Sequence, residues 1–142
     1  MAEMTTTLDP QEQEEVVRIA LDFFRDQTED EDQAQELLGK LGGMVQEEGA
    51  KLVHFGNVLF LILVRGKGVV EFHTIGEESE SKKYVEDVRN LAAYLKNIGV
   101  KTAYTYLPTG SFGGILRAAK VKFKQVNAKM QNRPVKSFIM EL

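Results

Sequence analysis

The chain has no cysteine and no tryptophan, only two histidines, and no strongly apolar run longer than Val58 to Val64. Without cysteine there is no disulfide, no thiol nucleophile and no thiolate-bound zinc. His54 and His73 alone cannot build an imidazole-rich metal site, so no metal is expected, although carboxylates remain available to a hard cation. The longest apolar run falls far short of the roughly 20 residues that cross a bilayer as a helix. Met1 to Pro10 lacks the basic start and apolar segment of a secretory signal. These absences lead us to expect a cytoplasmic protein with no membrane contact, residues 1–8 serving as a flexible leader.

The 142 residues are 43% hydrophobic, enough for one core, and a single domain over residues 1–142 is the expectation. Charge is unevenly spread. Residues 1–50 carry 14 acidic and 3 basic side chains, net −11, whereas residues 51–142 carry 7 acidic and 15 basic ones, net +8. No carboxylate side chain lies between Lys101 and Met140. Such a basic segment attracts anions, or complements the acidic helices of the same chain or another. A protein partner or a homo-oligomer is therefore expected. Nucleic acid is not, because the whole chain is acidic and no aromatic stacking motif accompanies the lysines.

Asp9, Pro10 and Glu12 signal the start of a first helix whose apolar face is Val16, Val17, Ile19, Ala20, Phe23 and Phe24. Thr28 and Glu31 form a Thr-x-x-Glu capping box before Ala34, Leu37, Leu38 and Leu41. Gly39, Gly42 and Gly43 should weaken that second helix, with a further turn over Met44 to Glu48 ending at Gly49. Lys51 to Phe55, Val58 to Arg65 and Gly68 to Ile75 then read as three strands of an antiparallel meander, the middle one apolar on both faces and buried. Tyr84, Val85, Val88, Leu91, Ala92, Leu95 and Ile98 keep helical period up to Gly99. Val100 to Leu107 reads as a strand reached by a right-handed parallel crossover. Ser111 caps a short helix to about Lys120, followed by strands over Val121 to Met130 and Val135 to Leu142.

That order, together with Ala119-Lys120-Val121-Lys122-Phe123 and the closing Ser137-Phe138-Ile139-Met140-Glu141-Leu142, resembles the GNAT acetyltransferases. The first pentapeptide is similar to the family's Tyr-x-x-x-Gly-Phe segment, with the glycine at Lys122 and the general-acid tyrosine near Ala118. The resemblance covers roughly residues 10–142 and implies an α/β fold, a mixed β-sheet flanked by helices, with the first family strand missing. It also implies acetyl-CoA as the acyl donor. The family's Arg/Gln-x-x-Gly-x-Gly/Ala pyrophosphate loop falls at Ser79 to Tyr84, where the Arg/Gln and both glycines are absent. Tyr84 would impose a side chain there, and Glu77, Glu78 and Glu80 would repel phosphate, while Lys82 and Lys83 would attract it.

By the same resemblance the cofactor side comprises Ile75, Gly76, Lys82, Lys83 and Ser111, where the family often has an asparagine. Glu71 and His73 share one face of their strand and are the candidate catalytic pair, since a carboxylate or a neutral imidazole can deprotonate an amine. Tyr104 and Tyr106 share a face and could line a gap between the central parallel strands. Thr109 to Gly114 could cradle an anion but lacks the Gly-Lys-Ser/Thr ending of a P-loop. The resemblance leaves two functions: a catalytically degenerate family member with an assembly or interaction role, like that of some phage-encoded members, in host cytoplasm or virion if this chain is phage-encoded; or an N-acetyltransferase with a divergent pyrophosphate site.

Overall fold

The structure, a computed structural model, describes residues 10–47, 50–55, 58–76 and 81–142. The elements are α1 (Pro10–Gln27), α2 (Glu31–Glu47), β1 (Lys51–Phe55), β2 (Val58–Gly66), β3 (Val69–Gly76), α3 (Ser81–Asn97), β4 (Thr102–Leu107), α4 (Phe112–Ala118), β5 (Lys122–Met130) and β6 (Arg133–Glu141). The strands form one mixed sheet in the order β1-β2-β3-β4-β6-β5. Compact packing divides the chain into two units, one reaching Leu63 and including the segment from Thr74, the other containing Val64 to His73 and everything from α3 onward.

In the first unit the apolar stripe of α1 supplies Val16, Ile19 and Ala20, which pack with Leu41, Leu52, Leu59, Leu61 and Ile75. The cap of α2 differs from the one expected. Asp30 Oδ1 accepts from the Gln33 amide at 2.8 Å, and Gln33 Oε1 accepts from the Glu29 amide at 3.1 Å. Thr28 Oγ1 donates instead to the Phe24 carbonyl at 2.8 Å, which closes α1. Glu31 is drawn away from a capping role by Arg25, whose Nε and Nη2 each sit 2.8 Å from its carboxylate oxygens. That bidentate pair holds the exposed Glu31 carboxyl down at about 2.

Gly39, Gly42 and Gly43 do not interrupt α2, since the intact i→i−4 ladder on either side outweighs a propensity penalty of about 1 kcal/mol each. β2 is buried from Val58 to Ile62, but Val64 is 65% exposed. It outruns β1, whose register ends at Lys51↔Ile62, so the expectation of a fully buried strand fails over its last residues. The cap at Asp9, the end at Gly49, the Gly56-Asn57 turn and the glutamates at 77, 78 and 80 lie outside the described residues.

In the second unit Tyr84, Val88, Leu91 and Leu95 form the buried stripe of α3. Gly99, at φ +93°, closes the helix in a Schellman motif, with Val100 N–H bonded to Leu95 O at 3.0 Å and Gly99 N–H to Lys96 O at 3.1 Å. The expected parallel crossover is present: β3 pairs with β4 in parallel through Val69↔Thr102, Val70↔Ala103 and Glu71↔Tyr104. β4 runs on to Leu107 in antiparallel register with β6. On the other face of these strands, Phe112 packs against Phe72, Tyr84 and Phe138 with ring centroids 5.4 to 6.3 Å apart.

Candidate functional site

β3 alternates, so Val70 and Phe72 are buried while Glu71 and His73 emerge together on the opposite face. Four side chains of the second unit converge there. His73 Nε2 lies 2.5 Å from Glu71 Oε2, Arg65 Nε donates to Glu71 Oε1 at 3.0 Å, and the Tyr104 hydroxyl donates to Oε1 at 3.4 Å. Tyr104 is the register partner of Glu71 and meets Tyr106 edge-on, centroids 5.7 Å apart.

Burial pushes the Glu71 carboxyl up, but the hydrogen bonds and charges of His73 and Arg65 outweigh it, and the net shift is below the ordinary carboxylate range. The same neighbourhood raises the Tyr104 phenol, first through burial and then through the charge of Glu71. Glu71 is therefore an anion held by three donors and a poor proton acceptor. With Glu71 ionised, Nε2 of His73 carries the hydrogen, which leaves the lone pair on Nδ1. Glu71 side-chain exposure is 13% against 36% for His73, so the carboxylate lies beneath and the imidazole at the surface.

Sequence reasoning paired Glu71 with His73 and named Tyr104, but read Arg65 only as the end of a strand. The signal was present: Arg65 and Glu71 stand three residues either side of Gly68, whose φ of +72° closes the turn between β2 and β3.

The residues assigned to the cofactor side are distributed. Ile75 is 6% exposed and part of the first unit's apolar cluster, so its side chain is core. Gly76 is the last residue of β3. Lys82 and Lys83 are exposed in the first turn of α3, which holds no acidic residue. Two cations oppose the positive end of the helix dipole and favour an anion beside them. A groove of about 440 Å³ runs from Lys82 past Val85, Glu86 and Arg89 to Ala118.

The Tyr84 ring, expected to intrude on the loop, is 5% exposed and lies against Phe112. Ser111 occupies the N-cap position of α4 but makes no capping bond, because its own backbone is already helical (φ −61°, ψ −28°), and its hydroxyl meets that of Thr109 at 3.0 Å. Lys122 needs no glycine: it is an ordinary residue of β5, and the left-handed backbone falls at Lys120, φ +60°.

No protein-family model matches the sequence, and no curated protein matches it. Solved structures do. Aminoglycoside 6'-acetyltransferase type Ii superposes with a TM-score of 0.65 at 13% identity, over 99% of this chain and 95% of that one. A probable acetyltransferase of the GNAT family from Chromobacterium violaceum gives 0.59 at 15% identity, over 81% and 68%. The fold is that of the GNAT acetyltransferases. An aminoglycoside acetyltransferase AAC(6')-Ib solved in complex with coenzyme A shares this GNAT fold at a TM-score of 0.58 and 13% identity, over 79% and 76%. At these identities the likeness carries the fold and leaves the chemistry to the residues of this chain.

Proposed function

We propose that this chain is an acyl-CoA-dependent N-acyltransferase in which His73 accepts the proton of the attacking amine. Glu71 is its positioning residue, fixing the tautomer whose Nδ1 can take that proton. The observation that carries the reading is the contact between Glu71 and His73, with a carboxylate kept ionised beneath a more exposed imidazole. Residues suited to an anionic donor are present: the lysines of the α3 first turn, Arg89 along the same groove, and a Tyr84 ring packed away from it. The assignment of Ile75, Gly76 and Ser111 to that donor is supported by resemblance alone. Bound acyl-CoA would supply the thioester carbonyl carbon that the amine attacks. As the C–N bond forms and the thioester C–S bond breaks, the amine proton would go to His73, Glu71 would stabilise the imidazolium that results, and that proton would return to the departing CoA sulfur.

Steady-state turnover of acetyl-CoA with a panel of primary amines tests this. His73→Ala is expected to lower kcat by about 10²-fold or more. Glu71→Gln, which keeps the shape but cannot hold the charged imidazolium, is expected to lower kcat while leaving KM for acetyl-CoA unchanged. Unchanged turnover in both variants defeats the assignment.

A second reading keeps the fold without the chemistry, as a degenerate member with an interaction role. It is favoured by the missing Arg/Gln-x-x-Gly-x-Gly/Ala residues and by the exposed, basic β5–β6 hairpin. The absence of any effect of acetyl-CoA or CoA on thermal unfolding, together with a concentration-dependent mass, would decide for it.

A further inference from the structure

β5 is the last strand of the sheet, and the outer half of its hairpin with β6 is both apolar and basic. Val126 and Met130 are 47% and 44% exposed. Asn127, Lys129, Pro134 and Lys136 alternate with them onto the other face, where a groove of about 560 Å³ is lined by Pro108, Ala128, Lys129, Pro134, Val135 and Lys136. The charges here differ from those at the inner end. Lys122 and Lys124 are paired with Glu141, at 3.2 and 3.6 Å. Lys136 bonds the neutral amide oxygen of Asn127 at 2.6 Å, which offsets no charge, and Lys129 and Arg133 are exposed. Because no residue between Lys101 and Met140 has a carboxylate side chain, this segment cannot neutralise the patch from within.

The chain carries a surface of opposite character. Between Asp22 and Glu36 there are seven acidic side chains and one basic one, Arg25, and Asp26, Glu29 and Asp32 are exposed. Arg25 is already shared between Asp22 and Glu31. The acids remain in excess at the turn joining α1 to α2, where Asp26 also opposes the negative end of the α1 dipole. A cationic partner at this turn relieves both the excess of acids and the helix dipole.

We infer that the β5–β6 hairpin of one copy docks on the α1–α2 turn of a second copy, the patch of Lys129, Arg133 and Lys136 meeting the acids around Asp26 and Asp32. The two patches are different, so each contact pairs a hairpin with a turn, and copies either exchange that contact reciprocally as a two-fold dimer or hand it on in a ring or chain. Pro108, Pro134 and Val135 of the groove supply the apolar area that surface ion pairs by themselves lack. The inference does not depend on whether the Glu71–His73 site turns over.

Sedimentation equilibrium with charge-swapped variants tests it. Wild-type protein is expected to exceed monomer mass in about 0.1 M salt and to return to monomer in about 1 M salt, as the screening length falls from about 10 Å to about 3 Å. Lys129→Glu/Arg133→Glu and Asp26→Lys/Asp32→Lys are each expected to be monomeric alone, and an equimolar mixture to regain the assembled mass. Thermal melting of each variant checks that it is folded, so that loss of assembly is not loss of structure. A wild-type monomer at every salt concentration overturns the inference. So does a dimer indifferent to salt, or an Asp26→Lys/Asp32→Lys variant that assembles like the wild type, which would mean hairpins pairing with hairpins.

Discussion

At Glu71 the competition between burial and partners has a definite outcome. Burial disfavours the anion, yet Arg65, His73 and Tyr104 all donate to it, and its ionisation falls below the ordinary range. A carboxylate with a lowered folded-state pKa contributes stability that is fully present above the unfolded value and is lost as pH falls through the folded value. Glu71→Gln is therefore expected to cost about 1 kcal/mol at neutral pH, with half-exposed Arg65 limiting the amount. Denaturant titrations at descending pH should show the gap between wild type and variant closing below the ordinary carboxylate range; a gap constant with pH would show that Glu71 is protonated in the fold. Legibility at this scale was partial. Strand alternation placed Glu71 and His73 side by side, whereas Arg65 joins them only through a glycine-closed turn that local polarity disguised.

Helix ends show where local rules sufficed and where charge overrode them. Gly99 was recognisable as a terminator because only its conformation suits the Schellman turn, and the structure uses it so. The Thr28 box was not realised: Arg25 captures Glu31, and Asp30 with Gln33 offers the same capping geometry two residues later. That outcome needed knowledge of a partner six residues away.

α4 ends in the same hydrogen-bond pattern as α3, Val121 N–H to Leu116 O and Lys120 N–H to Arg117 O, both at 3.0 Å, but with Lys120 in the left-handed position. Lys120→Gly is expected to raise stability by about 1 kcal/mol, since a side chain is disfavoured at that φ. In α2, a Cβ at Gly39 or Gly42 meets nothing within 4 Å, and Gly39→Ala and Gly42→Ala should each add about 0.8 to 1 kcal/mol. Chemical denaturation measures all three. A loss of stability at Lys120→Gly would mean that the turn is held by lysine contacts rather than tolerated in spite of them.

For the whole molecule, element order and the parallel β3–β4 pairing were readable because strand and helix periods change cleanly along the chain and a strand-helix-strand crossover permits one hand. The division into two compact units was not, since its boundaries cut through β2 and β3, where no change of composition marks them. Nor could sequence place the Tyr84 ring, which burial against Phe112 decides. No helix among the described residues is long and apolar enough to cross a membrane.

The central claim is that a basic first turn on α3 and an imidazole on β3 serve one reaction with an acyl-CoA donor. Thermal unfolding with millimolar acetyl-CoA measures the donor half of that claim most directly. A ligand at about 100 times its Kd adds about 2.7 kcal/mol, so the midpoint should rise by several degrees in wild type and clearly less in Lys82→Glu/Lys83→Glu. A midpoint unmoved by acetyl-CoA and by CoA, at concentrations that shift a known acetyltransferase of this fold, would contradict it.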